Sequence, residues 1–143
     1  MPHSNFAICL RSTGEFIGSG GSHNPASSFG WPELGYMLKR EQWGKGLATE
    51  FVKAFLSAWE ALPREEVELA VDERSVVLGE DGRAREAMIA TTDETNGPSQ
   101  KILGEKCGFE KFAAWGEEVT KNGEAVYQGL LTWRYFPRQR GRT

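Results

Sequence analysis

The sequence is poor in cysteine and histidine, which limits the chemistry it can support. Its 143 residues include two cysteines, Cys9 and Cys107, and two histidines. The cysteines lie far apart and match neither a metal-ligand spacing nor a disulfide framework. The composition therefore predicts no metal site and a reducing compartment, the cytoplasm or the nucleus.

Long apolar runs and an excess of positive charge are also missing. No segment approaches the roughly 20 apolar residues that a membrane span needs, and the first residues show no signal-peptide pattern. The formal net charge is −3, which gives no general attraction to nucleic acid or to an acidic membrane. We therefore expect neither nucleic acid nor membrane as a partner.

The two common nucleotide fingerprints are absent as well. There is no Gly-x-x-x-x-Gly-Lys-Ser/Thr, and no Gly-x-Gly-x-x-Gly followed about 20 residues later by an acidic ribose ligand. ATP and NAD are therefore poor candidates as ligands.

The composition is otherwise that of an ordinary globular protein, with 39% hydrophobic and 26% charged residues. The length suits a single domain with one core, which we place at residues 1–137. Residues 138–143 form a short basic tail that we expect to be solvated.

A strand, a glycine turn and a helix follow one another at residues 33–62. Apolar residues alternate over 34–39, as in a buried strand. Residues 44–46 read Gly-Lys-Gly, and from Leu47 onward apolar residues recur four apart, as on one face of a helix that Pro63 ends. Glycines let the backbone approach a ligand, and the free amides of a first helical turn favour phosphate. A glycine pair in this position is also often only a tight connection.

The rest of the chain predicts a mixed α/β domain. We expect a hairpin from residues 6–10 and 16–18, and a strand at 88–92. A helix should begin with Pro98 and end at Gly108. Two further strands, 109–115 and 125–136, should be joined by the Asn122-Gly123 turn.

Residues 63–87 are harder to interpret. Two short strands are compatible with their pattern, at 67–71 and 75–78. The alternative is a long insertion or loop, which at this length is typically functional or mobile.

Two motifs resemble one known family. Residues 43–50, Trp-Gly-Lys-Gly-Leu-Ala-Thr-Glu, resemble the acetyl-CoA pyrophosphate loop of the GNAT superfamily of N-acetyltransferases, closest to the branch that acetylates ribosomal-protein N-termini. Trp43 stands where most of the superfamily has Gln or Arg, and the Trp form is common in that branch. Residues 96–109 resemble the family's Asn-x-x-Ser-x-x-x-Leu-x-x-x-Gly-Phe block.

The resemblance implies a GNAT-like α/β (α+β) fold, with a mixed, mostly antiparallel, splayed sheet and helices packed on it. It also implies acetyl-CoA as co-substrate, with no metal. The backbone of Met37 and Leu38 would meet the pantetheine arm, and Asn96 and Ser99 would contact the pantetheine amide and the sulfur end. Asn96 would equally serve as a helix cap. The residues implied for the pyrophosphate are Gly44, Lys45, Gly46, Leu47, Ala48 and Thr49, although Lys45 is equally compatible with an ordinary exposed lysine.

The implied reaction is acetyl transfer to a primary amine, such as a peptide or protein N-terminus, a lysine or a small amine, by direct attack in a ternary complex. Glu33 is the better placed general base, and His23 is a second candidate. Leu103 occupies the position of the family's frequent tyrosine acid, so Ser99 or a water would protonate the leaving thiolate.

The family normally has a strand and one or two helices before the first hairpin, whereas this chain begins close to that hairpin. We therefore expect an N-terminally shortened domain, whose uncovered sheet face favours a homodimer. The alternative function is a non-catalytic acyl-CoA-binding or scaffold domain, which Leu103 also favours.

Overall fold

The fold is a six-stranded sheet with helices on one face and irregular segments on the other. The computed structural model describes residues 4–24 and 29–138, with the side chains of Ser4, His23 and Asn24 outside that description. The strands are β1 (Ser4–Cys9), β2 (Phe16–Asn24), β3 (Glu33–Leu38), β4 (Met88–Asp93), β5 (Glu110–Lys121) and β6 (Glu124–Tyr135). The helices are α1 (Leu47–Glu60) and α2 (Gly97–Lys101), and a π-helical turn at Ile102–Lys106 continues α2.

The sheet order is β1-β2-β3-β4-β6-β5. All neighbouring strands are antiparallel except β3 and β4, which run parallel and share one register pair, Glu33 with Ile89. The two strands separate beyond that pair. The prediction of a mixed, mostly antiparallel, splayed sheet is therefore confirmed.

The main core lies between the sheet and its helices. Leu34 of β3, Met88 of β4 and Trp133 of β6 point to this face because side chains alternate along a strand. They meet the apolar stripe of α1, whose buried residues are Val52, Phe55, Leu56 and Trp59. The helix ends at Glu60, two residues before the predicted end, and Ala61 caps it in helical geometry.

The second face carries a smaller core built by irregular segments. Phe29 and Trp31, which precede β3, pack there with Ala87 and Ile89. The segment 63–87 crosses this face and is held by hydrogen bonds, such as the Asp72 amide to the Phe29 carbonyl at 3.0 Å. This segment contains a 3₁₀ turn at Glu73–Ser75 and one isolated bridge, Leu78 with Ala84.

The expectation of two short strands in 67–71 and 75–78 was therefore wrong. Asp72 caps the 3₁₀ turn, since its carboxylate accepts from the Arg74 amide. The cap lies between the two expected strands, and neither of them has a ladder partner apart from the isolated Leu78–Ala84 bridge. Between residues 63 and 87 the regular features are this 3₁₀ turn and the isolated bridge.

The other local predictions agree with the structure in outline. Asn122 and Gly123 have φ of 51° and 78°, as a tight hairpin turn between β5 and β6 requires. Gly108 has φ of +80° and follows the π-helical turn, which replaces regular helix in the second half of the predicted 98–108 segment. None of the helices in the described ranges is long and apolar enough to cross a bilayer.

Candidate active site

Most of the residues that the motifs single out line one cleft of about 720 Å³. Its walls come from the end of β3, the glycine turn with the start of α1, and the start of α2. The predicted cofactor residues that line it are Met37, Leu38, Gly44, Gly46, Leu47, Ala48, Thr49, Asn96 and Ser99. Two motifs about fifty residues apart in sequence thus meet at one site.

The separation of β3 from β4 opens the sheet toward this cleft. The Lys39 amide donates to the Ile17 carbonyl of β2 at 2.7 Å. Because successive backbone groups of a strand point in opposite directions, those of Leu38 and Tyr36 face the gap. The backbone groups of Met37 face β2, so its exposed side chain is what it offers to the cleft.

The glycine turn has the conformation that its sequence requires. Gly44 and Gly46 have φ of +74° and +78°, in the left-handed region that favours glycine. A Cβ at either position would meet nothing within 4 Å, so these glycines leave open space beside the backbone. Gly46 is also the N-cap of α1 and supplies no side-chain cap.

The backbone amides at this turn are available to a ligand. Among the described residues, the first amide of α1 with an intrahelical acceptor is that of Glu50, which donates to the Gly46 carbonyl at 3.1 Å. Within the described residues, the amides of residues 44–49 donate to no acceptor. They lie at the positive end of a helix of 14 residues. This arrangement suits an anion such as a pyrophosphate.

Two side chains make hydrogen bonds that brace the turn. The Trp43 indole donates to the Leu38 carbonyl at 2.9 Å, which ties the turn to the end of β3. Lys45 does not line the cleft, and its ammonium donates to the Gln42 side chain at 3.3 Å. Of the two interpretations of Lys45, this contact favours an ordinary exposed lysine.

The third wall depends on the turn between β4 and α2. The Asp93 carboxylate accepts from the backbone amide and hydroxyl of Thr95, at 2.8 and 2.6 Å. It also accepts from the Gln128 side chain at 3.0 Å. These bonds, the Thr95 hydroxyl first, lower the pKa of Asp93 to about 2. The carboxylate is thus ionised at neutral pH. Its hydrogen bonds fix the turn that leads from β4 into α2.

Asn96 caps α2, as its sequence position predicts. Its side-chain oxygen accepts from the Ser99 amide at 3.2 Å. The cap uses only the oxygen of the Asn96 side-chain amide, and Asn96 lines the cleft, so capping and ligand contact are compatible. Ser99 lies one turn later, half-buried.

Tyr36 is the cleft residue that sequence reasoning missed as a functional candidate. Its hydroxyl lies 3.1 Å from the Ser99 hydroxyl, and the two share a hydrogen bond. Burial raises the pKa of Tyr36, while the bond with Ser99 acts in the opposite direction. The available signal was its place on the buried face of β3, where a tyrosine hydroxyl needs a partner.

Glu33 and Leu103 do not line the cleft. Glu33 is half-buried at the single β3–β4 pair, on the strand face opposite Tyr36. Leu103 is 1% exposed in the main core, and its side chain has no proton to donate. The side chain of His23 falls outside the described residues.

A second hollow, of about 670 Å³, lies between α1, the π-helical turn and the end of β6. Cys107 lines it, and burial raises the pKa of that thiol. None of the predicted site residues lines this hollow. In the described ranges, no group of three His, Cys, Asp or Glu side chains is arranged to hold a metal ion.

Comparison with known proteins identifies the fold. The family model described as the acetyltransferase (GNAT) domain matches residues 1–110. No curated protein matches the chain in sequence.

Solved structures give the same result. The ribosomal-protein-S5-alanine acetyltransferase from Vibrio fischeri superposes with a TM-score of 0.64 at 18% identity, covering 94% of this chain and 61% of that one. A mutant of the spermidine N-acetyltransferase from Vibrio cholerae superposes with a TM-score of 0.64 at 16% identity, covering 93% and 64%. At such identities the likeness shows the fold alone. The chain spans less than two thirds of the length of these structures.

Proposed function

Because this chain belongs to the GNAT acetyltransferase family, we propose that it is an acetyl-CoA-dependent N-acetyltransferase acting on a primary amine. One observation carries the proposal. The glycine turn before α1 and the Asn96–Ser99 turn, which are distant in sequence, line the same cleft where β3 and β4 separate. The acceptor classes are a peptide or protein N-terminus, a lysine or a small amine.

The residues at the turn fit a pyrophosphate. The amides of residues 44–49 are free among the described residues and lie at the positive end of α1. The glycines leave room for close approach because no side chain shields their backbone. The fit supports acetyl-CoA as the co-substrate.

The gap between the strands fits the extended pantetheine arm. Its edge presents backbone groups of Tyr36 and Leu38. The Leu38 carbonyl already accepts from Trp43, so the polar groups available to the arm are the Leu38 amide and the backbone groups of Tyr36. Asn96 lines the same space, and Met37, 74% exposed, offers apolar contact.

The chemistry assigned to this chain's residues is proton transfer. When bound, acetyl-CoA supplies an activated thioester to the attacking amine. Glu33, directly or through water, would take the proton that the amine loses. Ser99 or a water would give a proton to the sulfur as the carbon–sulfur bond breaks. One proton leaves nitrogen and one reaches sulfur, so the reaction balances without a covalent enzyme intermediate.

The test is calorimetric titration of the protein with acetyl-CoA, together with a thiol-release assay over a panel of peptide N-termini, lysine peptides, polyamines and other small amines. Binding with amine-dependent release supports the proposal and identifies the acceptor class. An absence of binding would contradict the assignment of the cleft. Free thiol formed without amine, from hydrolysis alone, would contradict the assignment of the acceptor.

A non-catalytic acyl-CoA-binding or scaffold domain is the second candidate. The observation in its favour is Leu103, which is buried in the core where relatives often carry an acid. Binding without thiol release across the panel would support it. The cytoplasmic location and the homodimer stay predictions, and sedimentation velocity tests the second.

A further inference from the structure

The bond between Tyr36 and Ser99 has no part in the chemistry described above. Tyr36 lies on β3 and Ser99 on α2, 63 positions apart, and their hydroxyl oxygens are 3.1 Å from each other. Both residues line the cleft. The bond therefore joins two of its walls beside the residue proposed to protonate the thiolate.

Packing holds the tyrosine in place. Tyr36 packs against the main core, and it pairs with Gly20 of β2. A Cβ on Gly20 would lie 2.5 Å from the Phe51 ring of α1, so that ring fills the space beside Tyr36. The phenol is thus directed along the sheet toward α2, where Ser99 is its partner.

The chemistry of the two hydroxyls decides how they share the bond. A serine hydroxyl has one proton and can accept while it donates elsewhere. The burial of Tyr36 keeps its phenol protonated at neutral pH, since its pKa is raised above the ordinary value. When the phenol donates to Ser99 Oγ, the proton of Ser99 is directed away from Tyr36, toward the rest of the cleft.

We propose that Tyr36 is a positioning residue that orients the Ser99 hydroxyl toward the sulfur of the leaving group. The inference rests on the proposed acetyl transfer, in which Ser99 serves the departing thiolate. Tyr36 acts through Ser99 and does not itself touch the reacting atoms.

The test is a double-mutant cycle on the full chain with Tyr36→Phe, Ser99→Ala and the double variant. Phenylalanine keeps the ring and removes only the hydroxyl. We expect Tyr36→Phe to lower kcat about tenfold, the usual effect of one hydrogen bond, with KM for acetyl-CoA within about twofold of the parent. In the Ser99→Ala background the same change should alter kcat by less than about twofold.

The control is Tyr127→Phe, which removes the hydroxyl of a tyrosine that is 71% exposed on β6. It should leave kcat and KM unchanged. Independent, multiplicative losses in the double variant would overturn the inference. So would a loss expressed mainly in KM, because that result indicates a packing role.

A second readout does not need activity. The ultraviolet titration of tyrosine, taken as parent minus Tyr36→Phe, isolates the ionisation of Tyr36. The same difference in the Ser99→Ala background should lie at higher pH, because the Ser99 hydroxyl can turn to donate to the ionised phenolate, and this bond lowers the pKa of Tyr36. An unchanged titration overturns the inference even if the protein turns over. If the titration shifts and no amine is acetylated, the proposed function fails while the bond itself stands.

Discussion

At the scale of single residues, the two glycines of the 44–46 turn carry the proposed pyrophosphate site. Both are left-handed, and their missing Cβ atoms leave open space. Alternation and glycine spacing were enough to predict this turn, because every interaction that shapes it is local in sequence. Nothing local predicts the partner of Tyr36, which lies 63 residues away.

Gly46→Ala separates backbone strain from ligand contact. We expect a loss of about 1–2 kcal/mol in the free energy of unfolding from the left-handed alanine, and at least a tenfold weaker Kd for acetyl-CoA in calorimetry. The matched control is Gly82→Ala, with φ of +77° and likewise nothing within 4 Å of its Cβ. It should lose similar stability and bind normally. Equal affinities in the two variants would contradict the site.

The low pKa of Asp93 predicts how the stability of the protein changes in acid. Its pKa is about 2 in the folded protein, through Thr95 and then Gln128, and about 3.9 in an unfolded chain. The stabilisation from Asp93 is therefore complete above about pH 4 and is lost as the pH falls toward about 2. In urea unfolding between pH 5 and 2, Asp93→Asn should show a shallower fall in stability than the parent. If the stability of Asp93→Asn fell as steeply as that of the parent, this role would be contradicted. The control is Glu117→Gln, on an exposed part of β5, which also removes one carboxylate.

At the scale of elements, α1 and β3 were predictable and the 63–87 segment was not. From Leu47 to Trp59 apolar residues recur at helical spacing, and this pattern predicts both the helix and its buried face. In 63–87 the anchors are isolated long-range contacts. The Trp31 indole donates to the Ser75 hydroxyl at 2.8 Å, and the Arg134 guanidinium donates to the Ser75 carbonyl at 3.3 Å. Neither contact leaves a periodic signal.

Trp31→Phe tests this anchoring. The change removes a buried hydrogen bond and part of a buried ring, so we expect the free energy of unfolding to fall by about 2 kcal/mol in denaturant titration. Acetyl-CoA affinity should be retained, because no residue of 63–87 lines the cleft. Leu78→Ala, in the same segment and 65% exposed, should change stability by less than about 0.5 kcal/mol. Equal losses in the two variants would refute the anchoring role.

At the scale of the whole molecule, co-substrate binding should stabilise the fold. A ligand at 100 times its Kd adds about 2.7 kcal/mol to the free energy of unfolding. In a chain of 143 residues this corresponds to a rise in Tm on the order of 10 °C. Thermal scans with acetyl-CoA measure the rise, and NAD, whose fingerprint the sequence lacks, is the matched control. A flat response to acetyl-CoA, or an equal response to NAD, would contradict the cleft assignment.

The fold class could be predicted from two short motifs because both resemble those of one family. The finer chemistry was not. The acceptor depends on surfaces that no motif in this sequence describes, and the positions of Glu33 and Ser99 depend on how far β3 and β4 separate.

That separation has a further consequence for the molecule without ligand. Beyond the pair Glu33–Ile89, β3 and β4 are no longer paired with each other. Each of the two strands therefore has an unpaired edge inside the sheet. Edges of this kind invite pairing by other extended chains, and proteins commonly protect them. An extended pantetheine arm in the gap would serve as a substitute strand. Occupancy of the cleft would then guard the protein against self-pairing as well as prepare it for chemistry.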